Sequence, residues 1–346
     1  MRYFHNDYNR MCHCAVLEKM HSAISDSMLG YGRDECCEKA AQHIRTLCGR
    51  DDLSVHFLTG GTQANLTVIA AALRPHQAAI CANTGHINVH ETGAVEATGH
   101  KVIGLPSADG KLTGAQVEQA AVSYLSDADA EHTVQPKLVY ISNSTELGTV
   151  YTRKELKELS SVCRKYGFYL FVDGARLGYA IASVESDITL KDLAELCDVF
   201  YIGMTKGGAM FGEAVVIGNE NINYDFRHIM KQRGGMLAKG WLLGLQFEAL
   251  FENDLYFKIA QHANKMADIL RNTLRELGYP MYVGGSTNQV FPVMPESVLC
   301  RLEKEVTFST ISRIDKDHRV VRFCTSWATA EEDVNYLCNL LYKLSK

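Results

Sequence analysis

A chain of 346 residues is too long for one simple core and long enough for two lobes. Its composition, 47% hydrophobic and 22% charged, is that of an ordinary globular protein, and a net charge of −5 with no basic run argues against a nucleic-acid partner. No stretch approaches the roughly 20 apolar residues that span a bilayer, and residues 1–7 lack the apolar segment of a secretory signal, so a cytoplasmic protein without membrane contact is expected.

In chain order, residues 1–48 read as helices and loops without a strong strand, and Gly30-Tyr31-Gly32 breaks the segment that begins at Met20. Eleven cysteines are scattered and odd in number, which is no disulfide framework. Cys12-His13-Cys14 and Cys36-Cys37 are spaced too tightly for a zinc knuckle, so no metal is expected. From residue 50 to about 220, strand-like runs at 54–58, 78–82, 101–105, 137–142, 168–172, 199–203 and 213–217 alternate with helical spacing over 63–73, 112–125, 153–166 and 190–196. This alternation predicts an α/β fold with a mostly parallel seven-stranded sheet flanked by helices. Past residue 221 come helices over 240–251 and 255–277, strands near 289–294, 305–309 and 319–324, and a closing helix over 330–345. They predict a smaller α+β C-terminal domain over 251–346, a large domain over 49–250, and an N-terminal segment, 1–48, packed on the small domain and a partner subunit.

Three strands end in chemistry. The first, 54–58, runs into Thr59-Gly60-Gly61-Thr62-Gln63-Ala64-Asn65, a glycine turn at a helix start whose free N–H groups suit a phosphate. The run Tyr169-Leu170-Phe171-Val172 ends in Asp173-Gly174-Ala175-Arg176, and the apolar run 199–204 ends in Thr205-Lys206-Gly207-Gly208. A carboxylate or an ammonium at the end of a buried strand costs desolvation energy unless a partner meets it. An amine, an acid and an anion cradle are the three groups that hold pyridoxal 5'-phosphate: a Schiff-base lysine, a pyridinium partner and a phosphate loop. Taken singly, each has a plainer alternative: a threonine-capped turn, an Asp173–Arg176 pair, and a phosphate-binding or surface lysine. Lys239, in Gly234-Gly235-Met236-Leu237-Ala238-Lys239-Gly240, competes with Lys206 but closes no predicted strand. His86 follows a short strand, where an imidazole can stack on a cofactor ring or bond nearby backbone. His132 lies in a polar loop, where a lone histidine is usually solvated. Arg322 is a charge within a small-lobe strand, suited to a substrate carboxylate or to a salt bridge.

The three motifs, in this order and spacing, resemble the threonine aldolase and β-eliminating lyase family of fold-type-I pyridoxal phosphate enzymes, over nearly the whole chain. The resemblance implies a fold-type-I, transferase-like architecture and a role for each matching position. Lys206 matches the Schiff-base lysine and Asp173 the partner of the pyridine nitrogen. Gly61 and Thr62 match the phosphate loop, with Thr205 and Arg176 beside the cofactor, and His86 matches the histidine stacked over the ring. His132 falls where aldolases place a second histidine near the substrate hydroxyl. Arg176 and Arg322 match the arginines that hold the substrate carboxylate, and Asn6 stands where a serine usually precedes an aspartate. Tyr31 and Arg33 fall in the segment that reaches a partner's site, so a homodimer or homotetramer with shared active sites is implied.

The chain departs from the common pattern at Gly208-Ala209-Met210-Phe211-Gly212-Glu213, at Leu237-Ala238-Lys239, and at Ser142-Asn143-Ser144-Thr145-Glu146. The implied reaction is cleavage of the Cα–Cβ bond of a β-hydroxy-α-amino acid, L-threonine or L-allo-threonine, to glycine and an aldehyde. The alternative with the same cofactor is β-elimination from an aromatic or sulfur amino acid. A reading from another class is a non-catalytic α/β protein that binds phosphorylated metabolites.

Overall fold

The computed structural model describes residues 1–345. Seven strands form the main sheet: β1 (Ser54–Leu58), β2 (Gln77–Ala82), β3 (Lys101–Leu105), β4 (Gln135–Ser142), β5 (Tyr169–Asp173), β6 (Val199–Gly203) and β7 (Glu213–Ile217). Their spatial order is β1-β7-β6-β5-β4-β2-β3. Every neighbour pair is parallel except the two that involve β7, which runs against both β1 and β6. The expected mostly parallel sheet is therefore present, with one reversed strand inside it.

Both faces of this sheet are buried, which is why its central strands read as continuous apolar runs. Phe200 and Ile202 point into one core with helices Glu35–Cys48, Leu190–Leu196 and Trp241–Phe251. Val199 and Tyr201, one residue out of step, point into the other core with helix Gly61–Ala72. Tyr140 and Phe171 share that second face. Helix Arg153–Tyr166 shows the local logic well. A Thr152–Glu155 capping box starts it, Leu156, Leu159 and Cys163 bury its inner face, and Gly167 in the left-handed region (φ 65°) ends it.

A separate core holds the small lobe. It gathers Met266, Leu270 and Leu274 of helix Leu255–Glu276, Val321 and Phe323 of strand His318–Cys324, and Leu337 and Leu341 of the closing helix Glu331–Leu344. Helix Leu255–Glu276 spans both lobes, because Tyr256 and Ile259 at its start belong to the large-lobe core. The N-terminal segment divides differently from the expectation. Only its first residues join the small lobe, where strand Arg2–Tyr3 pairs in parallel with Val306–Thr307 and Phe4 enters the core. Helices Cys14–Ser22 and Glu35–Cys48 pack instead on Trp241–Phe251 of the large lobe. Burial of Val16, Ala40, Ala41 and Ile44 in the large-lobe core accounts for the difference.

Candidate active site

The carboxyl ends of β1, β5 and β6 open into one cavity of about 190 Å³. Gly60, Gly61, Thr62, Asp173, Arg176, Thr205, Lys206 and His86 all line it. The amine, the acid and the glycine turn thus converge, as ligands do beyond the carboxyl ends of an open α/β sheet.

Helix Gly61–Ala72 begins at Gly60, whose lack of a side chain leaves the first-turn N–H groups uncapped. A Cβ at Gly61 would lie 3.0 Å from the Tyr201 hydroxyl, so glycine keeps this cradle open. Asp173 is buried at the end of β5. Its Oδ2 accepts from the Tyr140 hydroxyl and from Asn65 Nδ2 (3.0 Å), and its Oδ1 accepts from the Ala175 N–H (2.9 Å). Burial alone would raise its pKa. The charge of His86 and the hydroxyl of Tyr140 outweigh burial and hold the carboxyl below its ordinary 3.8. Three donors leave one lone-pair site of the carboxylate free for a further N–H.

His86 starts the short helix His86–Val89, and its Nδ1 lies 2.7 Å from Glu91 Oε1. The same Glu91 oxygen accepts from Asn65 Nδ2 (2.7 Å), which ties His86, Glu91, Asn65 and Asp173 into one chain. Burial pushes the imidazole pKa down, but Glu91 and Asp173 outweigh it and raise it above 6.5. Glu146 lines the cavity as well, and its Oε1 accepts from Ser142 Oγ (2.6 Å) and from the His86 N–H (3.0 Å). Lys206 is part-buried, and its Nζ makes no hydrogen bond or ion pair among the described residues. Burial and the neighbouring Arg176 charge lower its pKa below 10.5, against the pull of Asp7, Asp173 and Glu213.

Arg176 does not pair with Asp173. It grips Asp7, with Nε 2.7 Å from Oδ2 and Nη2 3.0 Å from Oδ1. Asp7 is fully buried, and Asn288 Nδ2 also donates to it (2.9 Å). Burial would raise the Asp7 pKa, but Arg176 and Lys206 bring it to about 2. Asn6 is buried beside it and bonds His5 Nε2 and the Tyr8 N–H. Arg322 Nη2 donates to the His5 carbonyl (3.0 Å), so residues 5–7 link the two arginines, and the Arg322 Nε is buried without a partner. Thr205 turns its hydroxyl to Glu213 (3.1 Å) and Gly212 (3.0 Å), although it lines the cavity.

Asn6, Arg322, His132 and Tyr31, though expected at the site, do not line this cavity. His132 sits exposed in a single turn of 3-10 helix just before β4 begins, at the amino edge of the sheet, so this chain does not bring it to its own cavity. The eight residues of β4, about 3.3 Å each, lie between it and the site. Tyr31, at φ 64°, lines a different surface groove with Arg33, His56, Arg227 and Lys231. Lys239 is exposed and lines no part of the cavity, which removes it as a rival to Lys206.

A family model described as beta-eliminating lyase matches residues 13–297. The chain belongs to the β-eliminating lyase family. Among its relatives, a low specificity L-threonine aldolase of a Pseudomonas species is 32% identical over 314 residues, 89% of this chain and 87% of that protein. A solved threonine aldolase of Leishmania major is 44% identical, with a TM-score of 0.97 and all of both chains covered. The Oryza sativa TDC, solved with PLP and tryptamine, superposes over 99% of this chain and 83% of its own with a TM-score of 0.77; at 14% identity it bears on the fold alone. The architecture is that of the fold-type-I pyridoxal phosphate enzymes.

Sequence reasoning missed Asp7, Asn65, Glu91, Tyr140 and Glu213 as parts of this lyase's site. Glu213 carried the clearest signal, an acid at one end of the apolar run Glu213-Ala214-Val215-Val216-Ile217. The rule that ligands gather at carboxyl ends hid it, because β7 is reversed and brings its first residue to that edge.

Proposed function

We propose that the protein is a pyridoxal 5'-phosphate-dependent carbon–carbon lyase that cleaves L-threonine or L-allo-threonine to glycine and acetaldehyde. The observation that carries this is the meeting of Lys206, Asp173 and the Gly61 cradle in one cavity, in a chain 44% identical to a threonine aldolase. The residues fit the cofactor: an uncapped helix start for the phosphate, an ionised carboxylate with one free site for the ring nitrogen, and an unpaired amine. When bound, pyridoxal phosphate supplies the sink for the electrons of the broken Cα–Cβ bond.

The chain's own residues supply the rest. The Gly61 and Thr62 N–H groups bind the phosphate at the helix start. Asp173 keeps a proton on the ring nitrogen. Arg176, braced by Asp7, and Arg322 hold the substrate carboxylate, which orients the scissile bond. His86, ordered by Glu91, takes the proton of the β-hydroxyl. Asn6 and the exposed Tyr31 groove suit a site completed in a homodimer or homotetramer, and we assign the enzyme to the cytoplasm.

Incubation with L-threonine tests the reaction. Glycine and acetaldehyde in equal amounts are expected. Pyruvate and ammonia from tyrosine or cysteine, with no aldehyde from threonine, would give the site to β-elimination instead. A colourless protein that shows no spectral change with amino acids would end the reading.

A further inference from the structure

We propose that Glu213 is the proton store of Lys206: its carboxyl takes up the ammonium proton when the amine must act as a nucleophile, and returns it when the amine is set free. The inference rests on the reading of Lys206 as the cofactor-binding lysine.

Position comes first. The reversed β7 sets Glu213 opposite Gly203 in register, at the edge where β6 runs on into Lys206. The carboxyl is buried yet lines the same cavity as Lys206. Its Oε1 accepts from the Thr205 hydroxyl (3.1 Å), which in turn accepts from the Gly212 N–H (3.0 Å), so that hydroxyl proton is committed to Glu213. Its Oε2 has no partner and lies where a Cβ on Gly203 would come within 2.8 Å. A buried carboxylate with an empty oxygen is costly unless a proton or a cation reaches it. Lys206 Nζ, in the same cavity, has no acceptor among the described residues. Each group lacks the partner that the other offers.

Neighbouring acids cannot take the role as well: Glu146, also in the cavity and also raised in pKa by burial, is turned to Ser142 Oγ and the His86 N–H rather than to Lys206. Asp173 is kept ionised by His86 and the Tyr140 hydroxyl, and Asp7 by Arg176. Glu213 faces Lys206, Asp173 and the hydroxyls of Tyr201 and Tyr256, with Arg176 and Asp7 beyond Lys206. Burial raises its pKa against the pull of Lys206, and Asp173 adds to the rise. Two adjacent carboxyls are thus split, one ionised and one able to hold a proton, the pattern that separates proton-handling roles. In the transfer an N–H bond of the ammonium breaks and an O–H bond on Glu213 forms. Both groups end neutral, so the buried cavity gains and loses no net charge. The two side chains do not touch, and a water in the cavity or rotation of Lys206 closes the gap.

The test uses the cofactor-free protein. Acetylation of Lys206 by acetic anhydride is followed against pH by peptide mass spectrometry, in wild type, Glu213→Gln and Glu213→Asp. Wild type is expected to gain reactivity in two limbs, the first as one proton leaves the pair and the second as the shared proton leaves. Glu213→Gln is expected to lose the alkaline limb and reach full reactivity about one pH unit earlier, a roughly tenfold faster labelling there. Glu213→Asp, which keeps the acid, is expected to retain two limbs. A single wild-type limb in the ordinary lysine range overturns the proposal without any variant, as does a Glu213→Gln profile that overlays wild type. Borohydride reduction of wild type loaded with pyridoxal phosphate separates the two failures. With a link at Lys206 and overlaid profiles, only the role of Glu213 falls; with no link, the cofactor reading falls first.

Discussion

The two edges of the main sheet are built from the same strands and end in opposite ways. At the amino edge the polar groups close on one another. Gln77 Nε2 donates to Gln135 Oε1 (2.9 Å), and Asp198 accepts from the Leu170 N–H (2.7 Å) and from Asn219 Nδ2 (2.7 Å). At the carboxyl edge they do not. Buried Tyr201 Oη, Glu213 Oε2, Glu91 Oε2 and Asn65 Oδ1 have no partner, and Lys206 Nζ has no acceptor among the described residues. Buried polar groups are nearly always satisfied in folded proteins, so an edge with this many left over is shaped for something that fills it. The amino edge serves the fold and the carboxyl edge serves a ligand.

Removing the amine is the strongest way to break this contrast. Lys206→Ala should lower kcat at least about a thousandfold, measured as acetaldehyde release, while the melting temperature holds or rises. A stability gain would follow from removing an unpaired amine from a part-buried site, and a large stability loss would mean that Lys206 serves the fold. Asp173→Asn comes next, with an expected loss of about 10²–10³-fold in kcat, because the amide cannot hold a proton on the ring nitrogen. An effect below about tenfold would count against that role.

Asp7 lies between the two regimes, fully buried yet fully paired. Asp7→Ala leaves the Arg176 guanidinium buried without its counter-ion and should cost about 3–5 kcal/mol, read by urea denaturation. The sign with pH follows from the depressed pKa. The stability Asp7 contributes is complete above its unfolded value of 3.8 and is lost as pH falls through about 2. Acid unfolding of the variant should lack this component.

The fold was legible in the sequence nearly to the residue at β1, β3, β6 and β7; β6 and β7 are fully buried and leave a nearly unbroken apolar run, whereas β1 and β3 are only partly buried and are marked by short β-branched and apolar stretches between turns. The direction of β7 was not legible, since strand periodicity is the same read either way. The site divides along the same line. Lys206, Asp173 and Gly61 announce themselves as expensive or permissive residues at strand ends. Asp7, 169 positions from Arg176, meets it only through the packing of the two lobes. Glu91 carries no local pattern and becomes visible only once His86 and Asn65 are placed. His132 reads from its own loop as a solvated histidine and as a site residue only through the family resemblance, and in this chain it lies at the opposite end of the strand that follows it.

Glu91→Gln is the finest test of the contrast, because it changes a charge at the carboxyl edge and little else. Burial alone would keep His86 neutral, and Glu91 and Asp173 together raise its pKa above 6.5. A base must be unprotonated to work, so activity should rise with pH through that raised value. An amide at position 91 still bonds the imidazole but no longer favours its charged form. The acid limb of kcat/KM should therefore move to lower pH, by about one unit, with the alkaline side unchanged. A matching stability signature has the opposite sign: the contribution of charged His86, present below its unfolded pKa and lost as pH rises through the folded one, should shrink in the variant. If the acid limb stays in place while this stability term disappears, Glu91 sets the charge of His86 for the fold, and the hydroxyl proton goes to another base.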